Sequence, residues 1–253
     1  MIEQRILFYD IETRPIQAWL WSLGKQVVRH HQLVKDNDQY GIICITYCWN
    51  DDEPAKSLDW DFDKQDETEM VATFDKIVKT ADVVIGKNSD RFDYKRINTS
   101  RWLNDLPPAP EWMYFKDDVE VQLRRHFALP SYSLDYVSQI LGLGGKMKME
   151  MQDWIDIVEK TDRSKFEKMI EYGKKDIEDT RAVYNSIKNY IVPKFSVASK
   201  GQLECTNCGS RELKKNGTRR TGMTVYQFYY CNNHGGYAGR APIKANGTVG
   251  EIR

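Results

Sequence analysis

No apolar run in this 253-residue chain approaches the roughly 18–20 residues needed to cross a bilayer. The opening MIEQRILFYDIET lacks the charged-then-apolar plan of a secretory signal and carries acids inside its apolar stretch. Internal repeats and low-complexity tracts are missing as well. The expectation is a soluble cytoplasmic protein with no membrane partner. Net charge is absent too, with 37 Lys and Arg against 37 Asp and Glu. Cysteines number five and histidines four, and disulfides are not implied, because an intracellular CxxC is more often a metal or redox site. What is present is a hydrophobic content of 41% with 12% aromatics, enough for a packed core, so bulk disorder is excluded. The length accommodates one medium domain and a small appendage.

The zero net charge hides an asymmetry. From Lys194 to Arg253 there are ten bases and three acids (Glu204, Glu212, Glu251), leaving 27 bases and 34 acids in the rest. Such a division suits a body holding metal-binding carboxylates and a separate element that grips phosphates. On charge alone, uneven solvation of a surface is the favoured reading. Cysteines divide in the same way. Cys44 and Cys48 lie in the strand-like run YGIICITYCW and read as small buried hydrophobes. Cys205, Cys208 and Cys231 crowd into the tail.

Periodicity outlines the body. Arg5–Tyr9 is a short apolar run of the central-strand kind, ending at Asp10. Gly41–Trp49 and Lys56–Phe62 read as a hairpin around the turn-forming Asn50 to Pro54. A helix is predicted over Glu67–Lys79, a buried strand over Ala81–Gly86 and a helix over Phe92–Leu106. Pro107, Pro108 and Pro110 then force a break. A strand near Glu111–Phe115 and helices near Val119–Phe127 and Leu134–Leu141 follow, the last capped by Ser131 or Ser133. Ser164–Tyr190 is helical again, closed by Pro193. The pattern predicts an α/β body with a mixed sheet over residues 1–195 and a separate small domain over 200–253.

Three short elements carry the chemistry. Asp10 and Glu12 are two apart on a strand, so both carboxylates point to one face near its C-terminal end. Hard oxygen ligands side by side suit Mg²⁺ or Mn²⁺. A buried strand delivers Asn88 and Asp93 to the start of a helix. Tyr172 and Asp176 are four apart, on one helical face. Each has an ordinary reading taken alone: a solvated strand end, a helix cap, an amphipathic turn.

Together and in this order, ILFYDIET, NSDRFD and YGKKD resemble the three exonuclease motifs of the DnaQ-like DEDD superfamily, in its tyrosine-bearing branch. FALPSYSLDYVSQILGLGGK is also similar to the stretch between the second and third motifs in B-family polymerase proofreading domains. The resemblance covers about residues 5–190. It implies an RNase H-like fold and two Mg²⁺ or Mn²⁺ ions held by Asp10, Glu12, Asp93 and Asp176, with Asp10 bridging. Tyr172 would orient the attacking water or the scissile phosphate, since a phenol of ordinary pKa near 10 is a poor base at neutral pH. Thr13 and Asn88 would contact the terminal nucleotide, with Phe92 near its base. Lys87 stands where many relatives have His, which suggests an added phosphate contact.

In the tail, Cys205-x2-Cys208 and Cys231-x2-His234 are separated by 22 residues. Two such knuckles match one structural, tetrahedral Zn²⁺, and a chain segment this small needs a staple to fold. Between them Tyr226, Phe228 and Tyr230 alternate with Val225, Gln227 and Tyr229. The segment resembles zinc ribbons of transposases and other DNA-handling proteins. Lys214, Lys215, Arg219 and Arg220 could meet phosphates and the rings could stack on bases; a ribbon that packs on the body or binds a protein is the alternative.

The combined expectation is a 3′→5′ exonuclease acting on single-stranded or frayed DNA, with a replication or repair protein as partner in trans. Two alternatives stay open: an RNA-directed or structure-selective nuclease on the same fold, and a non-catalytic nucleic-acid-binding adaptor.

Overall fold

The run Ile-Leu-Phe-Tyr is too apolar for a sheet edge, and it forms the middle of the main sheet. In the computed structural model, residues 5–22, 24–25, 27–34, 41–50, 53–109, 114–144, 147–191, 202–244, 247–250 and 252 are described. Five strands, β1 (Ile6–Thr13), β2 (Ile42–Trp49), β3 (Lys56–Asp59), β4 (Val83–Gly86) and β5 (Phe115–Asp118), form a mixed sheet in the order β3-β2-β1-β4-β5. β1 pairs antiparallel with β2 and parallel with β4, and β4 pairs parallel with β5. The parallel trio therefore brings the C-terminal ends of β1, β4 and β5 to one edge of the sheet.

Alternation along β1 decides which side chain faces which layer. Leu7, Tyr9 and Ile11 enter a core with helices α1 (Thr68–Val78) and α2 (Asp93–Leu103). Phe8 points the other way, into a core with α3 (Val119–His126), α4 (Leu134–Ile140) and the second half of α6 (Arg163–Ile187). Asp10 and Glu12 continue the Phe8 row, on the side that α6 covers. A buried ion pair, Arg101 to Asp75, ties α2 to α1. Cys44 and Cys48 are fully buried, as their apolar run predicted.

Several sequence expectations shift. β1 runs on through Thr13, with a bulge between Glu12 and Thr13. β3 stops at Asp59, because the chain turns to bridge Asp61 with Asp66. The strand expected near Glu111–Phe115 appears as Phe115–Asp118, residues 110–113 lying outside the described residues. Ser133 rather than Ser131 caps α4, accepting from the Tyr136 N–H. Helix α5 (Met151–Lys160) was not predicted, although Trp154, Ile157 and Val158 have helical spacing. The boundary expected between 195 and 200, and Pro193, lie outside the described residues.

Toward the C-terminus, β6 (Leu213–Thr221), β7 (Thr224–Cys231) and β8 (Gly236–Pro242) form a three-stranded antiparallel sheet. Its core is small: Cys205, Tyr229, Cys231, Ala238, Ala241 and Ile252. Asn207 Nδ2 donates to the Lys188 carbonyl just past α6, at 3.2 Å. Among the described residues no helix is long and apolar enough to cross a membrane.

Candidate functional site

The three acidic motifs meet at the strand-end edge of the main sheet. Asp93 is the first residue of α2 and is 3% exposed. It does not cap its helix; its Oδ1 instead accepts the Ile11 N–H of β1 at 3.2 Å. Asp10 and Asp93 are hydrogen-bonded to each other. Burial, and then the charges of Asp93 and Asp176, push the Asp10 carboxyl well above the carboxylate range. Burial first of all also pushes Asp93 up to about 7.

Helix α6 closes the other side. Gly173 makes this possible: a Cβ there would lie 2.8 Å from Thr46 Cγ2, and Thr46 Oγ1 donates to the Gly173 carbonyl at 3.2 Å. The close approach sets Tyr172 and Asp176 over Asp10 and Glu12. The Tyr172 phenol is hydrogen-bonded with Asp176; its pKa is raised by burial, then by the charges of Asp176 and Glu12. It stays a neutral hydroxyl, suited to positioning rather than to accepting a proton. Trp154 of α5 donates its indole N–H to Glu12 Oε2 at 3.2 Å and packs edge-on against Tyr172, with centroids 6.1 Å apart. The sequence reading missed Trp154 together with its helix.

The loop from β4 to α2 is built by a second residue that the reading did not single out. Asp118 caps α3 and accepts from the Asn88 and Asp90 N–H groups at 3.0 and 3.2 Å. That grip holds Asn88 at φ 60°, the left-handed region in which Asn is among the better-tolerated residues. Phe92 is exposed, with the Arg96 guanidinium over its ring at 5.4 Å. Thr13 ends β1 after the bulge, a feature that re-aims side chains beside sites. Lys87 pairs with Glu120 at 2.9 Å.

The Asp10 carboxyl is within electrostatic reach of both Asp93 and Asp176. Among the described residues the tight metal-type cluster is the other one: Cys205, Cys208, Cys231 and His234, all ligand atoms within 4.8 Å of one another. None of these thiols is in a disulfide. Cys208 Sγ and Cys231 Sγ are 3.7 Å apart, close to the edge of a tetrahedron with bonds of about 2.3 Å, the zinc–thiolate length. Cys205 Sγ lies 3.1 Å from His234 Nε2. Burial pushes the Cys205 thiol up to about 12. Burial acts in the same sense on Cys231, where the His234 and Asn233 N–H groups and the neighbouring thiols outweigh it and hold the thiol below its ordinary range. This donor set can bind a zinc ion.

On the three-stranded sheet, Gln227, Tyr229 and Cys231 are buried, and Tyr226, Phe228 and Tyr230 face outward. Register divides the basic residues. Arg219 lies opposite Tyr226 and Lys214 opposite Tyr230, on the aromatic face; Lys215 and Arg220 lie opposite Tyr229 and Val225, on the other. Arg219 covers Phe228 at 5.2 Å. Arg240, which no sequence signal marked, covers Tyr226 at 4.6 Å.

The acidic site carries a pH signature. In the absence of divalent ions, Asp93 keeps its proton in the fold until about pH 7, whereas the unfolded chain loses it near 4. Between these values the folded state binds more protons, so stability should fall as pH rises through that window. The carboxylates with lowered values, such as Asp66 and Asp153, titrate below it. Thermal unfolding from pH 4 to 8 should show the fall, and Asp93→Asn should flatten it. A wild-type profile that rises monotonically would contradict this account.

No protein-family model and no curated protein matches this chain. Among solved structures, it is similar to the family B DNA polymerase from the hyperthermophilic archaeon Pyrobaculum calidifontis, with a TM-score of 0.56 and 14% identity. The match covers 73% of this chain and 24% of the polymerase, so the chain spans about a quarter of that protein's length.

Proposed function

We propose that this chain is a metal-dependent 3′→5′ exonuclease of the DEDD type on an RNase H-like body over residues 1–195, with a zinc ribbon over 200–253. The carrying observation is the convergence of four acidic side chains and one neutral tyrosine from three distant segments. Burying carboxylates beside one another is costly, and a fold keeps such a group where cations compensate it. Asp10, Glu12, Asp93 and Asp176 would hold two Mg²⁺ or Mn²⁺ ions. Bound there, the ions supply an activated hydroxide and stabilise charge on the leaving 3′ oxygen.

The chain's own groups do the rest. Asp93, anchored on the Ile11 N–H, fixes the start of α2 against β1. The Trp154 indole orients Glu12, and Tyr172 offers a hydroxyl donor to water or phosphate. The polymerase likeness supports DNA as the substrate; a replication or repair protein in trans is the proposed setting.

The test is direct. Oligonucleotides of DNA and RNA, labelled at the 5′ end, are incubated with the protein and Mg²⁺ or Mn²⁺. A ladder shortening from the 3′ end on DNA is the expected outcome; intact substrate with either ion, or cuts confined to internal positions, would end the reading. Tyr172→Phe keeps the ring packed on Trp154 and removes one positioned hydroxyl. Single-turnover cleavage should slow by roughly tenfold to a thousandfold, with the metal dependence unmoved. A wild-type rate would remove Tyr172 from the mechanism.

A further inference from the structure

The stretch that leaves the acidic site is the least acidic part of the body. From Arg14 to Val34 there is no Asp or Glu, while Arg14, Lys25 and Arg29 are basic and His30 and His31 adjoin them. The stretch begins directly after Thr13, the end of the strand bearing Asp10 and Glu12. It doubles back on itself: Trp19 N–H bonds the Gln32 carbonyl at 2.8 Å, Val34 N–H bonds the Gln17 carbonyl at 3.1 Å, and Ala18 bridges Leu33. Its root is pinned to α5, where Gln17 donates to Glu159. Glu159 is five residues from Trp154, the partner of Glu12, or about 7.5 Å along a helix.

Its far end exposes apolar surface that no folding requirement explains. Trp21 is 100% and Trp19 76% exposed, and Val27 is 86% exposed. With Leu20, Arg29 and His31 they line one concave surface. Two exposed indoles beside basic groups, with acids excluded, are complementary to a polyanion whose units carry flat apolar faces. An apolar protein partner has no need of the charge. Trp19 is six residues beyond Thr13, so it lies within about 20 Å of the strand end.

We infer that this strap is a binding site for single-stranded nucleic acid, in which Trp19 and Trp21 stack on bases and Arg29 meets a phosphate, holding the strand whose 3′ end reaches the carboxylates. The role at the 3′ end rests on the nuclease reading; the binding itself does not.

The test compares the wild-type chain with Trp19→Ala/Trp21→Ala. Anisotropy of 5′-fluorescein oligothymidylates of about twelve and about four residues is measured with Ca²⁺ as the divalent ion. Both side chains are exposed, so thermal unfolding should coincide. The longer oligomer should bind about 10- to 100-fold more weakly to the variant, and the shorter one should lose less. Trp19→Phe/Trp21→Phe should recover most of the loss, and an abasic longer oligomer should bind the wild type no better than the alanine variant. At subsaturating oligomer, single-turnover cleavage with Mg²⁺ should slow in step with the loss of affinity. Equal affinity of wild type and variant for the longer oligomer overturns the inference. So does a wild-type dimer that the variant dissolves with oligomer affinity intact, which would make the strap a self-contact. A wild type that cuts nothing, yet binds the longer oligomer in a way the variant cannot, leaves the strap site standing and removes the nuclease. A wild type that cuts, with a variant that binds equally tightly, does the reverse.

Discussion

Asp10→Ala is expected to abolish cleavage while leaving the fold as stable as before, or more so. In the proposed mechanism Asp10 would be one of the carboxylates that hold the metal ions, so its loss would remove the chemistry they supply, an activated hydroxide and charge stabilisation on the leaving oxygen. Metal stabilisation of transition-state charge is worth several kcal/mol, and at about 1.4 kcal/mol per factor of ten the rate should fall roughly a thousandfold or more. Stability moves differently. The Asp10 carboxyl is penalised by burial and by the charges of Asp93 and Asp176, so truncation relieves an unfavourable environment. Single-turnover cleavage and thermal unfolding without divalent ions, measured on one preparation, separate the two effects. Near-normal turnover by the purified variant would sink the catalytic assignment. A large drop in stability would show that the carboxyl is a structural hydrogen-bond partner first.

The second large effect concerns the cysteine–histidine cluster. Cys208 is exposed, so Cys208→Ser removes almost no packing and reports on the metal. The three-stranded sheet has only a handful of buried side chains, and structural zinc supplies on the order of 10–16 kcal/mol to small modules of this kind. One zinc per chain is therefore expected by elemental analysis, and none in the serine variant. Residues 202–244 should become sensitive to protease in the variant, while the body keeps its thermal transition. If the aromatic face with Arg219 and Arg240 grips substrate, affinity for nucleic acid should fall together with zinc, and the saturating cleavage rate should hold. A zinc-free variant that remains protected from protease would mean that the sheet folds on its own contacts.

Much of this was legible in the chain itself. Asp10 and Glu12 on one strand face, Tyr172 and Asp176 on one helix face, and the two Cys/His knuckles all follow from period and spacing, which are local geometry. The runs Leu7–Tyr9 and Val83–Gly86, buried throughout, likewise reveal central strands, because only a strand covered on both faces is apolar throughout. Helix α5 was equally readable from its spacing and was passed over.

Other features depended on contacts between segments far apart in sequence, where local pattern is silent. That Asp93 answers the Ile11 N–H instead of capping its own helix follows from the parallel pairing of β1 with β4. Trp154 reaches Glu12 only because α5 packs on α6, where Trp154 meets Tyr172, and Asp118 shapes the Asn88 turn only because β5 lies next to β4. Lys87 met Glu120 rather than solvent. The register of β6 on β7 split four basic residues between two faces and brought Arg240 onto Tyr226. Sequence by itself determined which residues share a face of one element, since backbone geometry repeats every 2 or 3.6 residues. Tertiary structure alone decided which faces meet, and so which charges are buried together, because that is set by packing among elements and not by any period within one.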